Sequence, residues 1–178
     1  MKMIEHRTST PTDIPALIAT LNSDDGLTRQ NTRLALVRIG TAAVPDLIEQ
    51  LADPHERLRW EAVKTLSQIN DPTAATALVT ALEDDNAGIR WLASGGLLGL
   101  GQRGLIPLLE ALKERPDSVR LREGAHHVLH ILARKGLYLQ IVIPVLAALE
   151  DIEPAIELPL AAYKALKLLT SAPNNNSH

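Results

Sequence analysis

Apolar residues recur along this chain with a period of thirty positions. The segment at 14–21 reads IPALIATL, and the segment at 44–51 reads VPDLIEQL. A fixed period in this range is typical of tandem arrays, in which each unit buries its apolar face only against its neighbours. The pattern therefore predicts a stack of small repeated units.

A second pattern is an arginine followed at helical spacing by a small residue and two large aliphatic ones. One copy consists of Arg59, Ala62, Leu66 and Ile69. Positions three, four and seven apart share one face of a helix, so each copy predicts an amphipathic helix, here termed a first helix. The arginines of the four copies are Arg29, Arg59, Arg90 and Arg122.

A glycine or asparagine after each first helix can end it in the left-handed conformation. Proline then marks the start of a second helix, because its missing amide hydrogen has no partner in a first turn. These prolines are Pro15, Pro45, Pro107 and Pro144. From a lone second helix at 13–22 to a final first helix at 156–170, the pattern predicts about ten helices in four to five pairs.

Composition narrows the class of protein. The 178 residues predict one domain, with an extension at 1–12, a solenoid at 13–170 and a disordered tail at 171–178. The absence of cysteine excludes disulfides and thiolate metal sites, and it fits a cytoplasmic protein. A net charge of −3 with scattered basic residues argues against nucleic acid as a partner. The longest uncharged run is too short for a membrane span, so we expect no membrane partner.

The combined pattern resembles the HEAT-like repeats of the type first noted in phycobilisome lyases. It reads valine or isoleucine–Arg–x–x–Ala–x–x–x–Leu, then a turn, then VPxLIxxL and an acidic turn, with close matches at 58–62 and 89–93. Thr32 and Glu157 are departures in the first and last units. The resemblance implies an all-α, right-handed α-α superhelix of HEAT/armadillo type, with second helices on the concave side. It also implies that most members bind proteins, and that a minority are lyases or metal enzymes.

Outward positions of the second helices would line the concave groove. The predicted partner-binding residues there are Asp46, Glu49, Gln50, Thr76, Thr80, Glu110 and Lys113. This small, neutral to acidic lining suits a neutral or mildly basic segment of another protein. No nucleophile, base and acid converge in one unit. We therefore predict a non-catalytic scaffold without a cofactor. The alternatives are a lyase or chaperone for a tetrapyrrole-bearing protein, and a metal-dependent enzyme.

Trp60 and Trp91 occupy equivalent positions in consecutive units. They could form a two-ring platform for a partner, because tryptophan is enriched among interface hot spots. Each ring could instead lie over the start of the neighbouring unit, which is the interpretation we favour. The recurrent arginines each follow an acidic turn, so we expect them to bond aspartates between units. The expected acceptors are Asp53, Asp84, Asp85 and Asp117.

Four side chains with metal-ligand spacing lie on one predicted helix, namely Glu123, His126, His127 and His130. They could hold a metal ion, but a solvated helix face explains them with fewer assumptions, since structural zinc sites use four ligands. The segment 99–104 matches G-x-G-x-x-G, yet it follows a helix instead of a strand, so we predict no nucleotide site there.

The C-terminal part departs from the repeat. Five extra residues fall within 135–141, around Tyr138. They could form a partner-binding rim or an extra turn of helix that seals the end of the stack. The last helix lacks a following partner, and Leu160 and Leu168 broaden its apolar face. This face could support a homo-oligomer through the C-terminal helix.

Overall fold

The computed structural model describes residues 13–171 and shows ten α-helices without a strand in this range. The helices are α1 (Ile14–Thr20), α2 (Gly26–Ile39), α3 (Val44–Glu49), α4 (Glu56–Ile69), α5 (Ala75–Ala81), α6 (Ala87–Leu100), α7 (Gln102–Glu114), α8 (Val119–Arg134), α9 (Leu139–Leu149) and α10 (Pro154–Ser171). The all-α prediction is confirmed. The predicted extension at 1–12 and residues 172–178 of the predicted tail lie outside the described residues, while Ser171 belongs to α10.

The first helices α2, α4, α6 and α8 pack in succession to form one layer. On the other side lie the second helices α1, α3, α5 and α7, each packed against a first helix. The repeated small residues Ala62, Ala93 and Ala125 are completely buried. Small side chains at these points let neighbouring helices approach closely, while rows of leucine fill the space between the layers. The repeat pattern therefore identified the residues that hold the solenoid together.

The helix ends follow from local chemistry. Asp25, Asn86 and Ser118 precede α2, α6 and α8, and each accepts a hydrogen bond from an amide of the first turn. Gly40 and Gly101 end α2 and α6 at φ angles of 73° and 58°, a region that favours glycine. The predicted breaks between first and second helices are thus present.

Two prolines do not mark helix starts. Pro15 and Pro45 lie in the first turns of α1 and α3, as predicted. The prediction was wrong for Pro107 and Pro144, which lie inside α7 and α9. Both helices begin about one turn earlier, because Gly101 and Tyr138 change the chain direction just before them. The carbonyls that lose an amide partner belong to residues 103 and 140, which are exposed, so water can satisfy them.

The last helix also departs from the predicted alternation. We expected a further first helix, but α10 packs mainly against α7 and α9 instead of α8. The insertion before α9 accounts for the change of path, with left-handed residues at Gly136 and Tyr138. Tyr138 is half-buried against the core, and its hydroxyl lies beside Gly101. The insertion therefore contributes packing at the C-terminal end of the stack. Within residues 13–171, no helix is long and apolar enough to cross a membrane.

Two glycines test this packing. A Cβ on buried Gly104 would lie 2.4 Å from the carbonyl oxygen of Leu97, whereas a Cβ on Gly95 would meet nothing within 4 Å. Gly104→Ala should lower the free energy of unfolding by about 1–3 kcal/mol, because backbone must move to admit the methyl group. Gly95→Ala should raise it by about 0.5–1 kcal/mol through helix propensity. Urea denaturation followed by circular dichroism measures both, and effects of the same sign would contradict this packing.

Candidate protein-binding surface

An open groove lies between α3 and α5 on the side of the second helices. It has a volume of ≈ 400 Å³. Its lining residues are Ile48, Leu51, Ala52, Thr73, Thr76, Ala77 and Thr80. The Thr80 hydroxyl donates to the carbonyl of Thr76 in its own helix, at 3.3 Å. With no charged group in this lining, the surface suits apolar side chains of a ligand or partner.

A smaller recess of ≈ 130 Å³ continues the groove between α5 and α7. Thr76 and Thr80 line both spaces, so the two form one surface, here termed the second-helix groove. The recess brings in Glu110 and Glu114, and neither forms an ion pair within the described part of the chain. The guanidinium of Arg115, also in this lining, is bound to Glu83. One end of the groove is therefore negatively charged.

The predicted groove residues fall into two sets. Thr76, Thr80 and Glu110 line the groove directly. The others, Asp46, Glu49, Gln50 and Lys113, lie on or next to α3 and α7 outside its lining. Their role in binding stays a prediction. Sequence reasoning missed the apolar floor at Ile48, Leu51 and Ala77, because a repeat pattern assigns aliphatic residues to the core.

The two tryptophans have different environments. The ring of Trp60 is half-buried under the start of α6, where a Cβ on Gly88 would lie 2.1 Å from it. Trp91 is 66% exposed. The position equivalent to Gly88 in the next unit is Arg120, which instead bonds Asp85 at 2.6 Å. Trp60 therefore lies over its neighbouring unit, whereas Trp91 is available to solvent, and its use by a partner stays a prediction.

Each recurrent arginine bonds the turn that precedes its own helix. Their guanidinium groups donate to main-chain carbonyls five or six residues earlier, at 2.7–3.3 Å. These arginines are Arg29, Arg59, Arg90 and Arg122. Among the four, Arg59 alone has a described bond to an aspartate side chain, that of Asp84 at 2.7 Å. The other expected acceptors, Asp53, Asp85 and Asp117, do not complete a regular ladder in the described residues.

Other charged pairs join neighbouring units. Arg57 bonds Asp24, and Arg120 bonds Asp85, both at 2.6 Å. The hydrogen bond and the charge of Arg120 lower the pKa of Asp85 below its usual range, and Arg57 does the same to Asp24. Each of these exposed pairs joins the start of a first helix to the turn that begins the preceding unit.

A buried carboxylate joins α2 to α4. Glu61 is 7% exposed and accepts from Arg33 at 2.6 Å and from Arg29 at 3.3 Å. The feature of the sequence that could have indicated this ion pair is the spacing of the two arginines, which lie four residues apart on one helix face. Their shared acceptor was missed because it belongs to the next unit.

The residues of the histidine cluster do not converge on one point. His126 Nε2 lies 3.0 Å from Glu150 Oε1, and the His126 ring stacks on that of His130 with centroids 5.9 Å apart. His127 and Glu123 are exposed on the same helix. No group of three or more His, Asp or Glu side chains in residues 13–171 is arranged to hold a metal ion. The metal site stays a prediction from spacing alone.

The fold and the groove define a helical solenoid of protein-binding type. A family model described as HEAT repeats matches residues 14–98 and, in a second copy, 44–129. These matches cover more than half of the chain, which belongs to the HEAT repeat family.

Two curated proteins are similar in sequence to this chain. It is 33% identical over 114 residues to a phycobilisome maturation protein of Synechococcus elongatus, covering 64% of this chain and 54% of the relative. It is 35% identical over 85 residues to phycocyanobilin lyase subunit beta of a Nostoc species, covering 47% and 42%. The chain therefore spans about half the length of the curated relatives it matches. The resemblance to the lyase-type HEAT repeats is confirmed.

A solved structure supports the fold. It is the complex of CpcE and CpcF of phycocyanin lyase from Nostoc sp. PCC7120, matched with a TM-score of 0.53 and 24% identity. The match covers 83% of this chain and 96% of that one. At this identity the likeness shows a shared solenoid fold.

The unequal tryptophans predict unequal effects on stability. Trp60→Ala should lower the free energy of unfolding by about 2–4 kcal/mol, because it leaves a cavity beside Gly88. Trp91→Ala removes an exposed ring and should change stability by less than about 0.5 kcal/mol. Urea denaturation of the two variants measures this difference. Equal losses would mean that the rings share one environment after all.

The buried carboxylate predicts a second difference. Glu61→Ala should lower the free energy of unfolding by about 3 kcal/mol, because it leaves two arginines without their shared acceptor. Glu123→Ala is the matched control on an exposed helix face and should cost less than about 0.5 kcal/mol. Chemical denaturation at neutral pH compares the two variants. A cost for Glu61→Ala as small as the control would show that water replaces the carboxylate.

Proposed function

We propose that this chain is a protein-binding member of the HEAT family that acts in the maturation of a tetrapyrrole-bearing protein. It would hold a segment of that protein in the second-helix groove. The observation that carries the proposal is the composition of the groove, which has an uncharged floor and two carboxylates at one end. Such a surface supports binding of a polypeptide that carries both apolar and basic side chains.

The groove indicates how such a segment would lie. An aliphatic or aromatic side chain fits against Ile48, Leu51 and Ala77. A lysine or arginine farther along the segment would then reach Glu110 and Glu114, which have no basic partner within residues 13–171. The open, elongated shape supports a chain segment over a small enclosed ligand. Aliphatic contacts would supply affinity, and the carboxylates would set direction and speed of association.

The relatives support maturation as the process. One is named a phycobilisome maturation protein, and another is a phycocyanobilin lyase subunit. Phycocyanobilin is an open-chain tetrapyrrole, so the proposed partner is a phycobilisome protein that carries such a group. Because the chain spans about half of those relatives, their complete activity belongs to the proposal.

A binding role is proposed here over a catalytic one. The chain has no cysteine nucleophile, and the groove lining consists of aliphatic residues, threonines, a proline, an arginine paired with Glu83 and two glutamates. Glu110 and Glu114 are exposed, whereas carboxylates used for acid-base chemistry commonly lie in desolvated sites. The lining therefore supports presentation of a partner to chemistry that occurs elsewhere.

Binding to phycocyanin subunits tests this function. Purified subunits, with and without phycocyanobilin, would be titrated into the protein by calorimetry, and binding is the expected result. Thr76→Arg and Thr80→Arg place a bulky charge in the groove and should each weaken binding about tenfold or more, equal to about 1.4 kcal/mol. Gln68→Arg is the matched control, because it adds the same side chain at an exposed position of α4 outside the groove.

The outcomes separate the two parts of the proposal. Binding that is unaffected by the groove variants would place the partner on another surface. Failure of the wild-type protein to bind any phycocyanin subunit, with or without the tetrapyrrole, would contradict the maturation role.

A further inference from the structure

The outward face of α10 carries two large apolar side chains that are more than half exposed. Ile156 is 66% exposed and Leu160 is 52% exposed. Glu153, Lys164 and Lys167 are exposed on the same side. Their spacing of three or four residues places the four α10 residues on one face of the helix, with Glu153 just before its first turn. These five residues are here termed the C-terminal stripe. Neighbouring exposed apolar groups on one helix face favour association when charged groups beside them are complementary.

The charges of the C-terminal stripe are divided between its two ends. Glu153 immediately precedes α10, and its carbonyl accepts the amide of Ile156 at 3.0 Å, so it lies at the first turn. Lys167 lies fourteen residues later, which is about 21 Å along the axis at 1.5 Å per residue. Its ammonium group is 5.3 Å from the centre of the Tyr163 ring, which places it beside the exposed face. The stripe is therefore acidic at its start and basic at its end.

A second copy in the opposite direction would complement this arrangement. If two α10 helices cross at Leu160, each Glu153 lies opposite the Lys167 of the other copy. Ile156 then faces the aliphatic stem of Lys164, and the two Leu160 side chains meet at the centre. A parallel pair would place glutamate against glutamate and lysine against lysine. We propose that two copies of this chain associate through antiparallel α10 helices, with two-fold symmetry.

Two-fold symmetry also favours this occupant. A two-fold pair makes each favourable contact twice, so a small stripe contributes two ion pairs and a shared apolar centre. The stripe and the second-helix groove lie on different helices, so a dimer through α10 does not depend on the function of the groove.

Sedimentation velocity over a range of protein concentrations tests the dimer. The wild-type protein should pass from monomer to dimer as concentration rises. Glu153→Lys and Lys167→Glu each turn two attractive pairs into repulsive ones, and each should raise the dimer dissociation constant about tenfold or more. An equimolar mixture of the two variants should associate again, because each copy then offers the charge that the other needs at both ends.

A control and a rescue make the result specific. Arg38→Glu reverses an exposed charge on α2 and should leave the dimer unchanged. The double variant Glu153→Lys with Lys167→Glu exchanges the charges within one chain and should recover wild-type association. A wild-type protein that stays monomeric at every concentration would overturn the proposal. So would single variants that dimerise like the wild type, or a mixture that does not recover association.

Discussion

Close contact between successive helices is the constraint on which the rest of the structure depends. No unit can bury its apolar face alone, so each first helix must lie against the next one. Completely buried alanines at equivalent positions, such as Ala62 and Ala93, keep these helices near each other. Because one face of every first helix is used for stacking, the surfaces that stay open are those of the second helices, exposed positions such as Trp91 and the outward face of α10.

The distribution of charge follows from the same constraint. Turns between units contain carbonyl groups that no helix satisfies, and the recurrent arginines, such as Arg59, bond them. Further arginines hold the carboxylates of Glu61 and Asp85. Many of the arginines are thus paired within or between units, while Glu110 and Glu114 stay unpaired among the described residues of the groove. Structural use of arginine therefore leaves an excess of negative charge at one end of the second-helix groove.

Sequence reasoning predicted the features that depend on one helix and its period. The buried stripe around Ala93 and the turn at Gly101 follow from local spacing, so both are present. Features that depend on the neighbouring unit were missed. Trp60 and Trp91 are equivalent in the repeat pattern, but the unit after Trp60 has Gly88 beside the ring, whereas the unit after Trp91 has Arg120 at the corresponding position. Glycine leaves room for the ring, and the larger arginine does not. For the same reason the repeat pattern predicted Thr76 and Thr80 in the groove but not its apolar floor at Ile48, Leu51 and Ala77.

The C-terminal end shows why the departures from the repeat carry the most information. A regular repeat offers its last face to another repeat, so an array without a distinct end would continue to associate with copies of itself. Here α10 packs beside α7, which interrupts the regular order of the layers. Its outward face presents a short stripe with opposite charges at its ends. Such a stripe is complementary to one inverted copy, so association through it closes at two chains instead of extending into a filament.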